Sequence, residues 1–278
     1  MSSSEVSISL EALKVEAAHD EPRVIWSYQP PGVLSVLAIG STSFVGELGG
    51  DQVLKYPLDA SEREYIEHEA CIYNILGVHS RILRCYGLDG AGLRLQRAAN
   101  GTLRDVLKTG GSSVRDQLKW ARQLVEAVVY IQGKHVFHCD ISPRNCFITD
   151  KYDLELGDFQ GVYVSSDGTV HEGYSREGSK ASLPRKPAKV DQYSDLFAVG
   201  STLYEIMAGQ EPYEDLDSID DMEEIESLFS KGTFPNTDFL PAHKAIERCW
   251  RQKYDCAQQC LDDLVAIEAE MSSAVAYG

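Results

Sequence analysis

The chain has 278 residues, 43% hydrophobic and 25% charged, which is enough apolar material for one large or two smaller packed lobes and too much for a disordered chain. No 18 apolar residues follow one another, and the opening MSSSEVSISLEALKVE has no basic stretch leading into an apolar run, so neither a membrane span nor a secretory signal is expected; a cytoplasmic location is, with the nucleus left open. The net charge of −17 argues against a nucleic-acid partner, and seven cysteines, an odd number with no CxxC pair, point to reduced thiols, several of them buried, in place of a disulfide framework or a zinc site.

Residues 1–21 are polar and aperiodic, with room for a short helix, and read as a flexible lead-in. From Val33 the pattern turns to short apolar runs, VLSVLAIG, FVGEL and QVLKYP, with Gly49-Gly50-Asp51 as a tight turn before the last, which reads as three antiparallel strands. Lys55 lies in the third, on the same face as Val53, and a lysine aimed at a buried surface needs a partner, although most strand lysines are solvated edge charges. A helix follows over 61–76, with Ser61 as N-cap and Glu64 completing a capping box. Its apolar positions Ile66, Ala70, Tyr73 and Leu76 form a stripe; Glu69 borders that stripe and Glu67 falls on the more exposed face. Two more strands and a short helix starting near Thr102 are expected next, then a long amphipathic helix over 114–136 stopped by Gly133.

That helix leads into HVFHCDISPRNCFITDKYDLELGDFQG, residues 135–161. Asp140 is followed after five residues by Asn145 and after thirteen more by Asp158, and the runs CFIT and LELG between them read as a hairpin. One side chain that accepts a proton and two oxygen ligands for a hard cation are what phosphoryl transfer from a Mg-nucleotide requires. HCDISPRN resembles the protein-kinase catalytic loop and DFQG the metal-binding turn of the same family. The stretch YSDLFAVGSTLYEIMAGQEPY, 193–213, resembles the central helix of the kinase large lobe, and ERCWRQKYDCAQQCLDDLVAIEAE closes the chain as two helices similar to the family's end.

The resemblance covers about residues 33–270 and implies an α+β, two-lobed protein-kinase-like fold, with a kinase domain over 22–272, a small antiparallel β lobe with one helix over about 22–96 and a larger helical lobe over about 97–272. The wording is most similar to serine/threonine kinases of filamentous fungi, of the kind lacking an arginine before the catalytic aspartate; here that position is Cys139. The implied cofactors are ATP and Mg²⁺ and the implied partner is a protein substrate. In this reading Asp140 acts on the acceptor hydroxyl, Asn145 and Asp158 hold the metal, and Lys55, positioned by Glu69, holds the phosphates. Gln96-Arg97-Ala98 becomes the hinge, Leu95 lines the adenine pocket, and the loop after Ile39 covers the phosphates with Gly40 and the aromatic tip Phe44.

The chain departs from the family at several points. Thr42 and Val45 stand where the family has glycines, without a glycine's freedom at positive φ. Gln160 sits in the metal turn, and Leu183-Pro184-Arg185 replaces Ala-Pro-Glu, so the segment from 161 to about 191, expected to be long and irregular, needs another anchor. Ser142 stands where serine/threonine kinases have a lysine and Arg144 where many tyrosine kinases have an arginine, while Ser179 occupies about the place of the serine/threonine-type threonine. Asp195 is expected to cap the catalytic-loop backbone and Gly200 to allow close helix packing. Residues 211–226 carry nine acids and no base, a solvated face or a dock for basic substrates. Three functions follow: a protein kinase, a pseudokinase scaffold, and a small-molecule phosphotransferase, which the helix at 193–213 disfavours.

Overall fold

The computed structural model describes residues 10–15 and 23–276, which fall into two compact units, Met1–Ala70 with Cys85–Arg97 and Cys71–Arg84 with Ala98–Gly278. In the first unit β1 (Leu10–Val15) pairs antiparallel with β2 (Arg23–Tyr28). The described part of the expected lead-in is therefore a strand, not a short helix; residues 1–9 and 16–22 lie outside the described residues.

β3 (Ser35–Ile39), β4 (Ser43–Gly49) and β5 (Gln52–Pro57) are the three expected strands, and Gly49 and Gly50 turn the chain between the last two with φ of +85° and +64°, which their missing side chains permit. A single 3₁₀ turn over Ala60–Glu62 precedes α1 (Arg63–Leu76). Ser61 lies inside this turn and does not cap α1; the turn itself is capped by Asp59, whose carboxylate accepts the Ser61 N–H at 2.9 Å. β6 (Cys85–Leu88) and β7 (Leu93–Gln96) complete a sheet of order β3-β4-β5-β7-β6. Beside Lys55, a Cβ on Gly92 would lie 2.3 Å from the Lys55 carbonyl oxygen, so only glycine lets β7 approach there.

α1 passes from the first unit into the second at Cys71. The second unit continues with α2 (Leu103–Thr109), opened by a Thr102–Asp105 capping box, and α3 (Val114–Gly133), whose apolar face is fully buried. Short strands follow, β8 (Val136–Phe137), β9 (Cys146–Ile148), β10 (Leu154–Leu156), β11 (Val162–Val164) and β12 (Val170–His171). β9 and β10 form the expected hairpin, and β12-β11-β8 a small sheet, so the segment after Gly161 is more regular at its start than expected.

α4 (Gln192–Ala208) is buried nearly throughout and ends at Gly209 in left-handed backbone, and it is followed by α5 (Met222–Ser230), α6 (His243–Trp250) and α7 (Ala257–Ala276). A Cβ on Gly200 would fall 2.8 Å from the Cys249 Cβ, so close packing of α4 on α6 depends on that glycine, as expected. Cys139, Cys146, Cys249 and Cys260 are buried, the last two with sulfurs 3.8 Å apart.

Candidate active site

In the first unit, β5 sends Lys55 into the interior at 5% exposure, and α1 meets it with Glu69, fully buried: Lys55 Nζ lies 2.5 Å from Glu69 Oε2. The helical stripe selects this acid correctly, since Glu67 is exposed and pairs with Arg63 on its own helix. Leu95 is buried in β7 and Gln96 ends that strand. Phe44 is not at the tip of a loop. It lies in β4, 2% exposed and stacked on Tyr56 with ring centroids 5.3 Å apart. The turn is confined to Gly40–Thr42, closed by the Gly40 N–H on the Ser43 carbonyl at 2.8 Å, because Ser43, Phe44 and Val45 pair with Pro57, Tyr56 and Lys55 as strand.

In the second unit, Asn145 links the other candidates. Its side-chain nitrogen donates to the Asp140 carbonyl at 2.7 Å and to Asp140 Oδ2 at 2.9 Å, and its own carbonyl accepts the Gly157 N–H at 2.9 Å, one residue before Asp158. A carbonyl can only accept, so the amide NH₂ must face Asp140, which leaves Asn145 Oδ1 as the end that suits a hard cation. Asp158 adopts left-handed backbone, φ +65°, on which the turn depends. Burial pushes the Asp140 carboxyl up to about 6; the Asn145 donation pulls it down and the Asp158 charge raises it. Ala98 begins the second unit next to Arg97, so the expected hinge coincides with the boundary of the two units.

The loop that carries Asp140 is held from behind. Asp195, buried in the first turn of α4, accepts the backbone N–H groups of His138 and Cys139, and His138 Nε2 donates to the Gly157 carbonyl at 2.9 Å. Phe159, fully buried, meets Tyr73 edge-on at 5.2 Å and His138 at 5.0 Å between ring centroids. Gly161 admits no side chain, since a Cβ would lie 2.0 Å from the Phe137 carbonyl oxygen.

Two arrangements go beyond what the sequence pattern predicts. Arg104 on α2 pairs with Glu205 on α4 at 2.9 Å and with Glu211 at 2.5 Å, and Lys180 reaches Glu211 at 3.2 Å. The anchor for the segment after Gly161 is Arg185, which forks onto Asp191 at 2.8 and 3.0 Å and onto Ser194 Oγ at 2.9 Å, so the arginine that replaces a family acid makes its own local ion pair. Ser179 donates to the Ser218 carbonyl at 2.7 Å.

A β-rich unit with a buried Lys–Glu pair and a helical unit in which Asp140, Asn145 and Asp158 flank one hairpin are the arrangement of the protein-kinase class. The model of the family "protein tyrosine and serine/threonine kinase" matches residues 52–259, and the chain belongs to that family. It is similar to mitogen-activated protein kinase kinase kinase 17 of Arabidopsis thaliana, 25% identical over 78% of this chain and 63% of the relative. It is also similar to serine/threonine-protein kinase Aurora-1 of Arabidopsis thaliana, 28% identical over 62% of this chain and 66% of the relative, and to the insulin receptor of Xenopus laevis, 23% identical over 69% and 16%. The chain thus spans less than two thirds of the length of the first relative and about a sixth of the last.

Proposed function

We propose that this chain is an ATP- and Mg²⁺-dependent protein kinase acting on serine or threonine hydroxyls. The observation that supports the reading is the Asn145 linkage: its side chain holds the Asp140 carboxylate, of raised pKa, and its backbone carbonyl holds Gly157, the residue before Asp158, across a single hairpin. Asp140 would orient the acceptor hydroxyl and take its proton, a role suited to a carboxyl of raised pKa. Asn145 Oδ1 and Asp158 would hold the cation, and Lys55, kept straight by Glu69, would hold phosphate oxygens. When bound, Mg-ATP supplies the γ-phosphoryl group. The serine/threonine preference rests on relatives such as Aurora-1, whose name states it. A cytoplasmic location belongs to the same proposal.

A second reading, a nucleotide-binding or scaffolding module without transfer, is favoured by the short Gly40–Thr42 turn and the commitment of Phe44 to the core. Thermal shift with ATP and Mg²⁺, then labelled-phosphate transfer to a mixed protein substrate with phosphoamino-acid analysis, separates the readings. Transfer to serine and threonine is expected. A metal-dependent shift without transfer would favour the second reading, and phosphotyrosine alone would overturn the acceptor preference.

A further inference from the structure

A cavity of about 310 Å³ in the second unit contains Asp140 and is lined by six charged residues in an otherwise uncharged wall: Asp140, Glu205 and Glu211 against Arg104, Arg144 and Lys180. In a chain of net charge −17 this balance is local. Four of the six are consumed among themselves, since Arg104 holds both glutamates and Lys180 holds Glu211. A cationic substrate side chain would have to displace these ion pairs to reach either glutamate.

Arg144 is different. It is exposed, and among the described residues no hydrogen bond or ion pair engages its guanidinium, although its charge lowers the carboxyl pKa of both Asp140 and Glu205. Next in the loop, Ser142 is 9% exposed and lines the same cavity, and among the described residues its hydroxyl has no hydrogen-bond partner. A free planar fork and a spare hydroxyl, four and two residues beyond Asp140, form a donor set for an oxyanion.

We infer that the acceptor segment carries an anionic side chain, a carboxylate or a phosphate, next to the hydroxyl that is modified, and that Arg144 with Ser142 holds it. This rests on the proposed role of Asp140 and adds the substrate class. It differs from the basic substrate that the acidic 211–226 stretch suggests; within that stretch Glu211 is already paired, and Asp217, although exposed, accepts the N–H groups of Ile219 and Asp220.

The test uses the full chain and four labelled peptides that differ only beside the acceptor serine, with aspartate, phosphoserine, alanine or lysine. Binding is read by fluorescence anisotropy without nucleotide, and transfer is read separately with ATP and Mg²⁺. The anionic peptides should bind about tenfold or more tightly than the lysine peptide, as a charge-assisted hydrogen bond allows. Arg144→Glu should reverse the order and Arg144→Lys should keep it in weakened form. The ratio of the aspartate to the phosphoserine peptide tells carboxylate from phosphate as the natural anion. Binding that is equal for all four, absent for all four, or strongest for lysine overturns the inference, as does an Arg144→Glu chain with the order unchanged. If the binding order holds while no peptide is phosphorylated, the inference stands and the kinase reading falls.

Discussion

The carboxylate of Asp195 accepts the backbone N–H of Cys139 at 3.0 Å and, through its other oxygen, that of His138 at 2.9 Å. Cys139 is in left-handed backbone, φ +63°, which a residue with a side chain adopts at a cost, and the buried carboxylate offsets that cost.

Asp195→Asn keeps the shape but turns an NH₂ toward one of two amide donors, which should cost about 1–3 kcal/mol of stability. Burial pushes the Asp195 carboxyl up to about 7. Its folded value lies above its unfolded one, so its contribution is complete below about pH 4 and is lost as pH rises through about 7. The melting-temperature gap between the parent and Asp195→Asn should therefore narrow from about pH 5 to about pH 8. A gap that stays constant would show that the buried carboxyl remains ionised throughout.

The Lys55–Glu69 pair should respond asymmetrically to truncation. Glu69→Ala strips a buried ammonium of its 2.5 Å partner and should cost about 3 kcal/mol in urea unfolding, whereas Lys55→Met, with Glu69→Gln beside it, should cost far less, because neither residue then brings an uncompensated charge into the core. Both variants should bind nucleotide more weakly than the parent. Equal stability losses for the two would mean that the pair is less desolvated than its burial indicates.

Much of this was legible because it is periodic or local. Hydrophobic spacing in 61–76 singles out Glu69 over Glu67, and the Asp140, Asn145 and Asp158 spacing locates the hairpin that joins them. Phe44 was misplaced because the same residues serve as a loop tip or as strand, and pairing with β5 decides between these only in the folded sheet. Ser61 was misread as the cap of α1 for a comparable reason, since it is taken up in a 3₁₀ turn that Asp59 caps and the helix starts only at Arg63. Arg104 was invisible as a site residue: its partners Glu205 and Glu211 lie about a hundred residues away, beyond the reach of any periodicity argument.

Asp140 and Asp158 should separate by mutation. Asp158→Asn removes a charge suited to the cation and should abolish the metal-dependent thermal shift with ATP. Asp140→Asn leaves Asn145 Oδ1 in place, so the shift should remain while transfer falls by about a hundredfold or more. Transfer at the parent rate in both variants would remove these residues from the chemistry.

Activity should not depend on phosphorylation of the segment after Gly161. A phosphate that orders such a segment needs an arginine to receive it, and the residue before Asp140 is Cys139, 2% exposed, its thiol pushed far up by burial. The segment has other restraints. The Gln160 carbonyl accepts the N–H groups of Tyr174 and Ser175 at 2.7 and 3.0 Å, and Gly173 passes so close that a Cβ there would lie 2.4 Å from the Gly161 carbonyl oxygen. Farther on, Arg185 closes on Asp191 and Ser194, and β11 with β12 extends the sheet begun by β8. Each of these forms without added charge, so a phosphate has little left to order. Protein made in bacteria, treated with phosphatase and shown by mass spectrometry to be unmodified at Tyr174, Ser175, Ser179 and Ser182, should turn over as fast as untreated protein. A loss of about tenfold or more, equivalent to about 1.4 kcal/mol in the barrier, would show that a receiver for phosphate exists after all, with Arg176 as the first residue to mutate.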